Sequence, residues 1–167
     1  QASIVRSTGQ SVVVLKKRIP ALADLVKQVI ILEGQMNWAS AIEAVGTAAF
    51  DFVPPETAAA YKRDLAERES SLPSLFGRGV AIPHSYIPDL PMPRCTLAII
   101  PAGVDPGTPD GQPVRLLAVV SSPQGRPEIH LQTLSALAEV LLDAGFVQLL
   151  VRQSSPIRAL RLVAERA

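Results

Sequence analysis

Two histidines, His84 and His130, are the side chains of this sequence best suited to chemistry. The first ends the stretch "GVAIPH" at residues 79–84, directly after an apolar run and Pro83. Because proline has no N–H to donate to a neighbouring strand, we expect sheet pairing to end there. The imidazole of His84 should then project from the end of a strand, where sites form in helix-covered sheets.

His130 lies in the first turn of a helix that is predicted to begin after Pro127. Unpaired N–H groups and the positive end of the helix dipole favour an anion there. Imidazole can also accept a phosphoryl group, since one ring nitrogen attacks while a hydrogen bond to the other fixes the tautomer. The pair therefore indicates a site that handles phosphate. The alternative is that His84 is a loop residue and His130 an ordinary first-turn residue.

Other familiar site types do not match the sequence. Two histidines and one cysteine without close ligand spacing do not predict a zinc site. There is no phosphate-binding loop with Gly-Lys-Ser/Thr, no dinucleotide-binding glycine motif and no nucleophile elbow. Cys95 begins an apolar strand, so we expect a buried thiol and not a nucleophile.

Length and charge limit the function classes further. The 167 residues predict one domain, 1–167, and 48% hydrophobic residues exclude a disordered chain. Sixteen basic residues against fifteen acidic ones leave no excess charge for a nucleic-acid backbone. Polar residues interrupt the longest apolar segment, 131–151, so no membrane insertion is expected. Residues 1–6 lack the pattern of a secretion signal, and we expect a cytoplasmic location.

Apolar spacing and turn residues predict an α/β sandwich. In the N-terminal part we predict a strand at 11–15 and a helix at 38–45. Between them we predict a helix that begins at Pro20, has apolar residues at helical spacing as far as Ile30, and stops at Gly34. Residues 46–55, "GTAAFDFVPP", combine glycine and a Pro-Pro pair and are interpreted as a loop or insertion. Further on we predict a helix at 56–70, a loop at 72–79, strands at 80–82, 95–100 and 114–120, and helices from Pro127 and at 156–166. The last two strands are nearly all apolar, as expected for strands covered on both faces.

Four motifs, in order, resemble the enzyme IIA domains of the bacterial phosphoenolpyruvate-dependent phosphotransferase system, in the fructose/mannitol and nitrogen-regulatory class. "GVAIPHS" is similar to the family signature Gly-[Val/Ile]-Ala-Ile-Pro-His-Gly, and "LAERES" places Arg68 sixteen positions earlier, as in the Leu-x-x-Arg-Glu helix end. "PDGQPVRLLAVVSSP" resembles the Asp-Gly-x-Pro-Val strand entry. "EIHLQTLSALAEVL" resembles the Glu-x-His-Leu helix, with His130 forty-six positions after His84. Together they are more specific than any one alone.

The resemblance implies that His84 is phosphorylated by the histidine-containing phosphocarrier protein and passes the group to a IIB domain, on a transporter or elsewhere. It implies a phosphohistidine at Nε2, with Nδ1 held by a backbone hydrogen bond. His130 would stabilise the group at the site and Arg68 would supply positive charge. No metal or cofactor is implied. The implied fold is a mixed, mainly parallel sheet with helices on both faces.

The sequence departs from the family pattern in two places beside the site. Residues 72–77, "LPSLFG", replace a loop close to Gly-Ser-Thr-Gly-Ile-Gly, in which Ser74 remains a candidate phosphate-binding residue. Ser85 replaces the glycine after the histidine, which restricts the backbone but adds a hydroxyl as a second phosphate-binding candidate. Residues 1–18 are atypical, and 46–55 are predicted to be an insertion between two family helices.

Two functions fit these observations. One is a phosphocarrier in sugar uptake or in nitrogen and metabolic regulation. The other is a diverged, non-catalytic regulatory or binding module of the same fold, attached to a transporter or regulator, which the altered loop favours. A third alternative is an unrelated α/β hydrolytic enzyme, but the sequence offers no nucleophile paired with a general base. A partner would dock on apolar residues around His84, for which the candidates, equally compatible with the core, are Ile82, Ile87, Leu90 and Met92.

Overall fold

A six-stranded mixed β-sheet and the helices on its two faces position the candidate site residues. The structure is a computed structural model that describes residues 3–7, 10–14, 21–109 and 112–166. The strands are β1 (Ser3–Ser7), β2 (Gln10–Val14), β3 (Val26–Ile31), β4 (Leu75–Gly77), β5 (Val80–Ala81), β6 (His84–Ile87), β7 (Arg94–Val104) and β8 (Val114–Pro123). The helices are α1 (Leu22–Leu25), α2 (Trp38–Ala49), α3 (Pro55–Ser71), α4 (Pro127–Leu141), α5 (Ala144–Val151) and α6 (Pro156–Glu165).

Strand β8 is the centre of the sheet. The order is β3-β7-β8-β5-β4, and β6 follows β5 along the same side of β8. Strands β5 and β6 run parallel to β8, and β3 runs parallel to β7, whereas β7–β8 and β4–β5 are antiparallel. The predicted mixed sheet is therefore confirmed. Strands β1 and β2 form a separate antiparallel hairpin.

Alternation along the buried strands creates one apolar core on each face of the sheet. Leu116, Ala118 and Val120 of β8 pack with α1, α4, α5 and α6. Leu117 and Val119 pack on the other face with α2 and α3. This period of two explains why β7 and β8 are almost continuously apolar, as the sequence predicted. It also determines which helix each side chain of β6 can meet.

The helix predicted from Pro20 to Gly34 is mostly a strand. Only Leu22–Leu25 form a helical turn, and Val26–Ile31 become β3, with Val29 opposite Leu97 of β7. Apolar residues at helical spacing were a misleading signal here, because the segment is rich in β-branched residues that pack well in a sheet. Pairing with a buried strand therefore overrides the local pattern.

Two other boundaries differ from the sequence predictions. Gly46–Ala49, expected in a loop, extend α2, which Asn37 caps by accepting a hydrogen bond from the Ser40 N–H at 2.8 Å. Within 72–79, residues 75–77 form the short strand β4. The helices at 56–70, from Pro127 and at 156–166 are confirmed as α3, α4 and α6, each with proline in its first turn. Of the strand predicted at 11–15, residue Leu15 lies outside the described residues.

Pro83 interrupts the sheet but does not end it, contrary to the prediction. Its carbonyl oxygen accepts a hydrogen bond from the Val120 N–H at 2.9 Å, and pairing with β8 resumes at His84. A proline removes one donor and leaves its acceptor in place, so a single ladder bond is lost. His84 therefore lies within a strand, and its orientation is set by the register of that strand.

A buried carboxylate joins the end of α3 to the segment that leads into β4. Glu69 is 2% exposed, and its side chain accepts hydrogen bonds from the Ser74 N–H at 3.0 Å and the Ser74 hydroxyl at 2.5 Å. The indole N–H of Trp38 donates to the Glu69 carbonyl at 3.2 Å. These bonds hold residues 72–74, and hence the β4–β5 hairpin, against α3.

We expect Glu69→Ala to lower the free energy of unfolding by about 2 kcal/mol, because it leaves two donors of Ser74 without a charged acceptor. Chemical denaturation followed by circular dichroism measures this. Glu67→Ala, on the exposed face of the same helix, is the matched control and should change stability by less than about 0.5 kcal/mol. Equal losses in the two variants would contradict the anchoring role.

Candidate functional site

His84 is half-buried on β6, on the face of the sheet that α4 covers. It lies opposite Val120 of β8, and the two-residue period places Tyr86 on the same face, opposite Ser122. The Nδ1 atom of His84 is 3.4 Å from the Ile82 carbonyl oxygen, a long hydrogen bond within the same turn of chain. This contact leaves Nε2 as the ring nitrogen available for chemistry.

His130 in the first turn of α4 lies beside His84, as the family resemblance implied. The centroids of the two imidazole rings are 5.0 Å apart, with the planes tilted by 46°. His130 is buried, and its Nδ1 shares a hydrogen bond of 2.7 Å with the hydroxyl of Ser122 at the end of β8. That bond fixes the orientation of the ring, and no residue that the structure describes hydrogen-bonds to Nε2.

Tyr86 completes a group of three rings. Its centroid is 4.9 Å from that of His130 and 6.3 Å from that of His84. The tyrosine side chain is 45% exposed, so it forms the outer wall of the pair and limits the access of water to His130. Packing on one side and the Ser122 bond on the other hold His130 in one position.

The environment of His130 favours its neutral form. Burial lowers the pKa of the imidazole, and positive charge on His84 lowers it further. A buried neutral ring 5.0 Å from a second imidazole can offer one N–H without repelling a neighbouring cation. The arrangement thus suits a hydrogen-bond donor to an anion held between the two rings.

Arg68 and Ser85 meet on the opposite face of β6. Successive residues of a strand point to opposite faces, so Ser85 faces α3 while His84 faces α4. The Arg68 Nη2 donates to the Ser85 hydroxyl at 3.0 Å and lies 3.5 Å from a carboxylate oxygen of Asp64. The Arg68 Nε is buried and has no hydrogen-bond partner in the part of the chain that the structure describes. No bond joins Arg68 to either imidazole among these residues.

Ser74 lies near His84 but its donors are already used. Both its N–H and its hydroxyl donate to Glu69, while its side chain lines the same groove as His84. Phosphate binding by Ser74 would require those two bonds to open. Its role as a phosphate ligand stays a prediction.

An apolar groove of about 510 Å³ lies beside His84. Its walls are the β4 residues Leu75 and Phe76, and the α4 residues Leu131 and Leu134. Ile82 lines this groove and also belongs to the core, whereas Ile87 is 2% exposed and packs in the core of the other face. Leu90 packs against that second core, and Met92 is 56% exposed. The four candidate docking residues therefore do not form one surface.

Three contributors to the site were missed from the sequence: Ser122, Tyr86 and Glu69. The signal for Ser122 is a polar pair, Ser121-Ser122, that ends an otherwise apolar strand. Tyr86 could have been found from the alternation of β6, two residues after His84. Glu69 resembles any exposed helix charge in the sequence, and only the fold shows that it is buried.

The remaining titratable group singled out in the sequence is structural. Cys95 is 1% exposed, and burial raises the pKa of its thiol to about 12, which confirms the prediction of an unreactive cysteine.

No group of three His, Cys, Asp or Glu side chains in the described ranges is placed to hold a metal ion. Among the described helices none could span a membrane alone; α4 and α5 reach that length and composition only together, bent by 84°.

Comparison with known families decides the affiliation. Residues 25–166 match the family described as phosphoenolpyruvate-dependent sugar phosphotransferase system, EIIA 2. The chain belongs to this family. The match includes both histidines, Arg68 and the whole mixed sheet, so the resemblance seen in the four motifs is confirmed.

Curated relatives of this EIIA 2 chain come from two settings. It is 34% identical over 83 residues to a fructose-specific EIIABC component of Bacillus subtilis, covering 50% of this chain and 13% of that protein. It is 35% identical over 79 residues to a nitrogen regulatory protein of Bradyrhizobium diazoefficiens, covering 47% and 52%. The alignments thus span about half of the second relative and a small part of the first.

Solved structures confirm the EIIA fold over most of the chain. The nitrogen regulatory protein IIA-Ntr of Neisseria meningitidis superposes with a TM-score of 0.66 at 23% identity, covering 85% of this chain and 94% of that one. The IIA mannitol protein of Escherichia coli gives 0.65 at 22% identity, covering 81% and 95%.

The pKa of His130 predicts a pH-dependent stability. The unfolded imidazole titrates near pH 6.5 and the folded one lower, so the unfolded state takes up a proton first. The stability from neutral His130 is therefore fully present above about pH 6.5 and is lost as the pH falls toward the folded pKa. Urea unfolding between about pH 5 and pH 8 should show this loss in the wild type.

His130→Asn should reduce that pH dependence, because an amide near the Nδ1 position can still bond to Ser122 but does not titrate. The matched control is His84→Asn, which removes the charge of the neighbour and leaves the burial of His130, so it should reduce the dependence only in part. If the free energy of unfolding varied with pH to the same extent in the wild type and in His130→Asn, the pH dependence could not be assigned to His130.

Proposed function

We propose that this chain is a phosphocarrier in which His84 Nε2 accepts a phosphoryl group from the histidine-containing phosphocarrier protein and passes it to a IIB domain. The observation that carries the proposal is the pair of imidazoles 5.0 Å apart, each with Nδ1 near a fixed partner and Nε2 left over. An imidazole held in this way is an activated nucleophile of defined tautomer.

The transfer balances without a cofactor. The Nε2 lone pair of neutral His84 forms the new N–P bond, while the N–P bond of the protonated phosphohistidine donor breaks and its electron pair returns to the donor ring. The proton on His84 Nδ1 stays in place beside the Ile82 carbonyl oxygen. In the second transfer, the lone pair of a nucleophile on the IIB acceptor forms a new bond to phosphorus, while the N–P bond to His84 breaks and its electron pair returns to Nε2.

His130 stabilises the phosphoryl group and does not carry it. When the Ser122 hydroxyl donates to His130 Nδ1, the proton of the neutral ring is on Nε2, where it can be donated to a phosphoryl oxygen. Preorganised donors of this kind stabilise charge that develops on the oxygens during transfer. Burial keeps the donor in place before the phosphoryl group arrives.

Arg68 is proposed to supply positive charge at the edge of the sheet. It approaches β6 from the α3 face, and its Nε, buried and without a partner among the described residues, is a donor that an incoming oxyanion would satisfy. Ser85 holds the guanidinium through Nη2 and is proposed as a second phosphate contact. Both roles require the phosphoryl oxygens to reach past β6, the edge strand that separates Arg68 from the face of His84.

The family and its relatives support a proposal for the partners and the setting. A solved complex joins the IIA mannitol protein of Escherichia coli to phosphorylated IIB mannitol, and its IIA chain has a TM-score of 0.66 to this one. Two relatives are named a fructose-specific EIIABC component of the phosphotransferase system and a nitrogen regulatory protein. We place this chain in the cytoplasm as a single phosphocarrier domain of one of these two systems, with no nucleic-acid partner.

A phosphorylation assay tests the proposal. The protein is incubated with phosphoenolpyruvate, enzyme I and the histidine phosphocarrier protein, and intact mass and acid lability are measured. We expect one acid-labile, base-stable phosphate on the wild type and none on His84→Ala. His130→Asn should still accept phosphate, but at a rate lowered by about a hundredfold, the usual effect of losing one preorganised donor.

The outcomes separate the two functions. A folded wild type that accepts no phosphate from this donor system would indicate the regulatory or binding module instead. Phosphate retained on His84→Ala and lost from His130→Ala would reverse the two roles. Transfer onward is tested by adding a IIB domain and following loss of the phosphate from this chain.

Arg68→Gln should lower the rate of phosphorylation about ten- to a hundredfold while leaving the melting temperature nearly unchanged. Arg63→Gln, an exposed arginine of the same helix, is the matched control and should react at the wild-type rate. Ser85→Ala distinguishes a direct role from an indirect one: if Arg68 served only to hold Ser85, the two variants would be equally slow.

A further inference from the structure

A second cavity lies far from the two histidines. It has a volume of about 650 Å³ and is lined by Arg78, Arg115 and Arg152, and Glu33 is the single carboxylate among the described residues of its wall. Arg115 and Ser122 are seven residues apart on β8, which corresponds to about 23 Å along an extended strand. The cleft is therefore separate from the site beside His84 and His130.

The three arginines come from three different elements. Arg78 is in the β4–β5 turn, Arg115 is on β8, and Arg152 is the C-cap of α5. None of them forms an ion pair with an acidic side chain within the described residues. Arg115 is held along the wall, because its Nη1 donates to the Pro101 carbonyl oxygen at 3.1 Å. Three guanidinium groups facing one carboxylate leave the cleft with an excess of positive charge.

The backbone at Arg78 is held in an unfavourable conformation. Its φ of 53° is in the left-handed region, and Gly77 and Gly79 on either side also have positive φ. Residues 78 and 79 form the two-residue connection of the β4–β5 hairpin, a turn whose first position favours asparagine, aspartate or glycine. An arginine there is strained, and its side chain is placed at the mouth of the cleft.

We propose that this cleft binds a small organic polyanion that carries phosphate or carboxylate groups. Guanidinium forks match both groups in a bidentate manner, and charge-assisted hydrogen bonds of this kind are the strong ones. The volume is within the range of small-molecule sites, which favours a metabolite over a macromolecule. Val147 and Val151 supply an apolar floor, and Gln148 and Gln153 supply neutral hydrogen-bonding groups.

Isothermal titration with pyrophosphate and, separately, with citrate tests the proposal. Binding to the wild type is expected to weaken as salt rises, since the interaction is mainly electrostatic. Arg78→Gly and Arg115→Gln should each weaken binding about tenfold. Arg78→Gly also relieves the backbone strain, so its melting temperature should be equal to or higher than that of the wild type, and lost binding cannot be ascribed to unfolding.

Two controls separate this cleft from other anion sites. Arg161→Gln removes an arginine that lines a different cavity and should leave binding unchanged. Because pyrophosphate could also bind beside the histidines, the titration is repeated with His84→Ala, which should retain binding at the cleft. Backbone amide shifts of Gly77, Gly79 and Arg152 in two-dimensional NMR locate the ligand directly.

Wild-type binding that Arg78→Gly and Arg115→Gln weaken, and Arg161→Gln does not, supports the proposal. It is overturned if neither probe binds at millimolar concentration, if all three arginine variants weaken binding equally, or if His84→Ala abolishes it. A preference for pyrophosphate over citrate would assign the site to phosphorylated ligands, and the reverse preference to polycarboxylates.

Discussion

The parallel register between β6 and β8 is the constraint on which the site depends. It sets Tyr86 opposite Ser122 and His84 opposite Val120, so that the side chains needed by His130 reach the same face as α4. A slip of one residue would move His84 and Tyr86 to the α3 face and bring Ser85 in their place. The buried residues on both faces of β8 oppose such a slip, because it would expose apolar side chains and bury polar ones. The core thus specifies the geometry of the two imidazoles.

Local patterns were sufficient to predict that His84 and His130 share one site and to predict most helices, since proline starts and apolar stripes are properties of short segments. These local patterns failed where pairing between strands distant in the sequence determines the structure. Val26–Ile31 have helical spacing but pair with β7, and Pro83 was expected to end a strand that resumes one residue later. Ser122 and Tyr86 went unnoticed for the same reason, because their importance arises only when β6, β8 and α4 are brought together. The burial of Glu69 becomes evident only when the fold brings Ser74 against its carboxylate.

The two faces of β6 carry different groups of the site: the imidazoles lie on the α4 face and the guanidinium on the α3 face. On the α4 face, neutral partners orient the two rings: the Ile82 carbonyl oxygen lies 3.4 Å from His84 Nδ1, and the Ser122 hydroxyl forms a short bond of 2.7 Å with the buried His130. On the α3 face, Arg68 is kept at a distance by Ser85 and Asp64, so its charge does not lie against either ring. A guanidinium in contact with the histidines would oppose the build-up of positive charge on His84 during attack. In the proposed function, separation across the edge strand β6 would let the positive charge of Arg68 act on the phosphoryl oxygens without that penalty.

The closeness of the two rings also has an electrostatic consequence for the relay. In the free protein, burial and the positive charge of His84 both lower the pKa of His130. A phosphoryl group on neutral His84 would add net negative charge beside His130, which acts in the opposite sense to a protonated His84 and raises the pKa of His130. His130 would then bind a proton more readily while the group is present and release it once the group has left. The same 5.0 Å separation that positions a donor would therefore couple its protonation to the phosphorylation state of His84, and the strength of this coupling is set by the β6–β8 register.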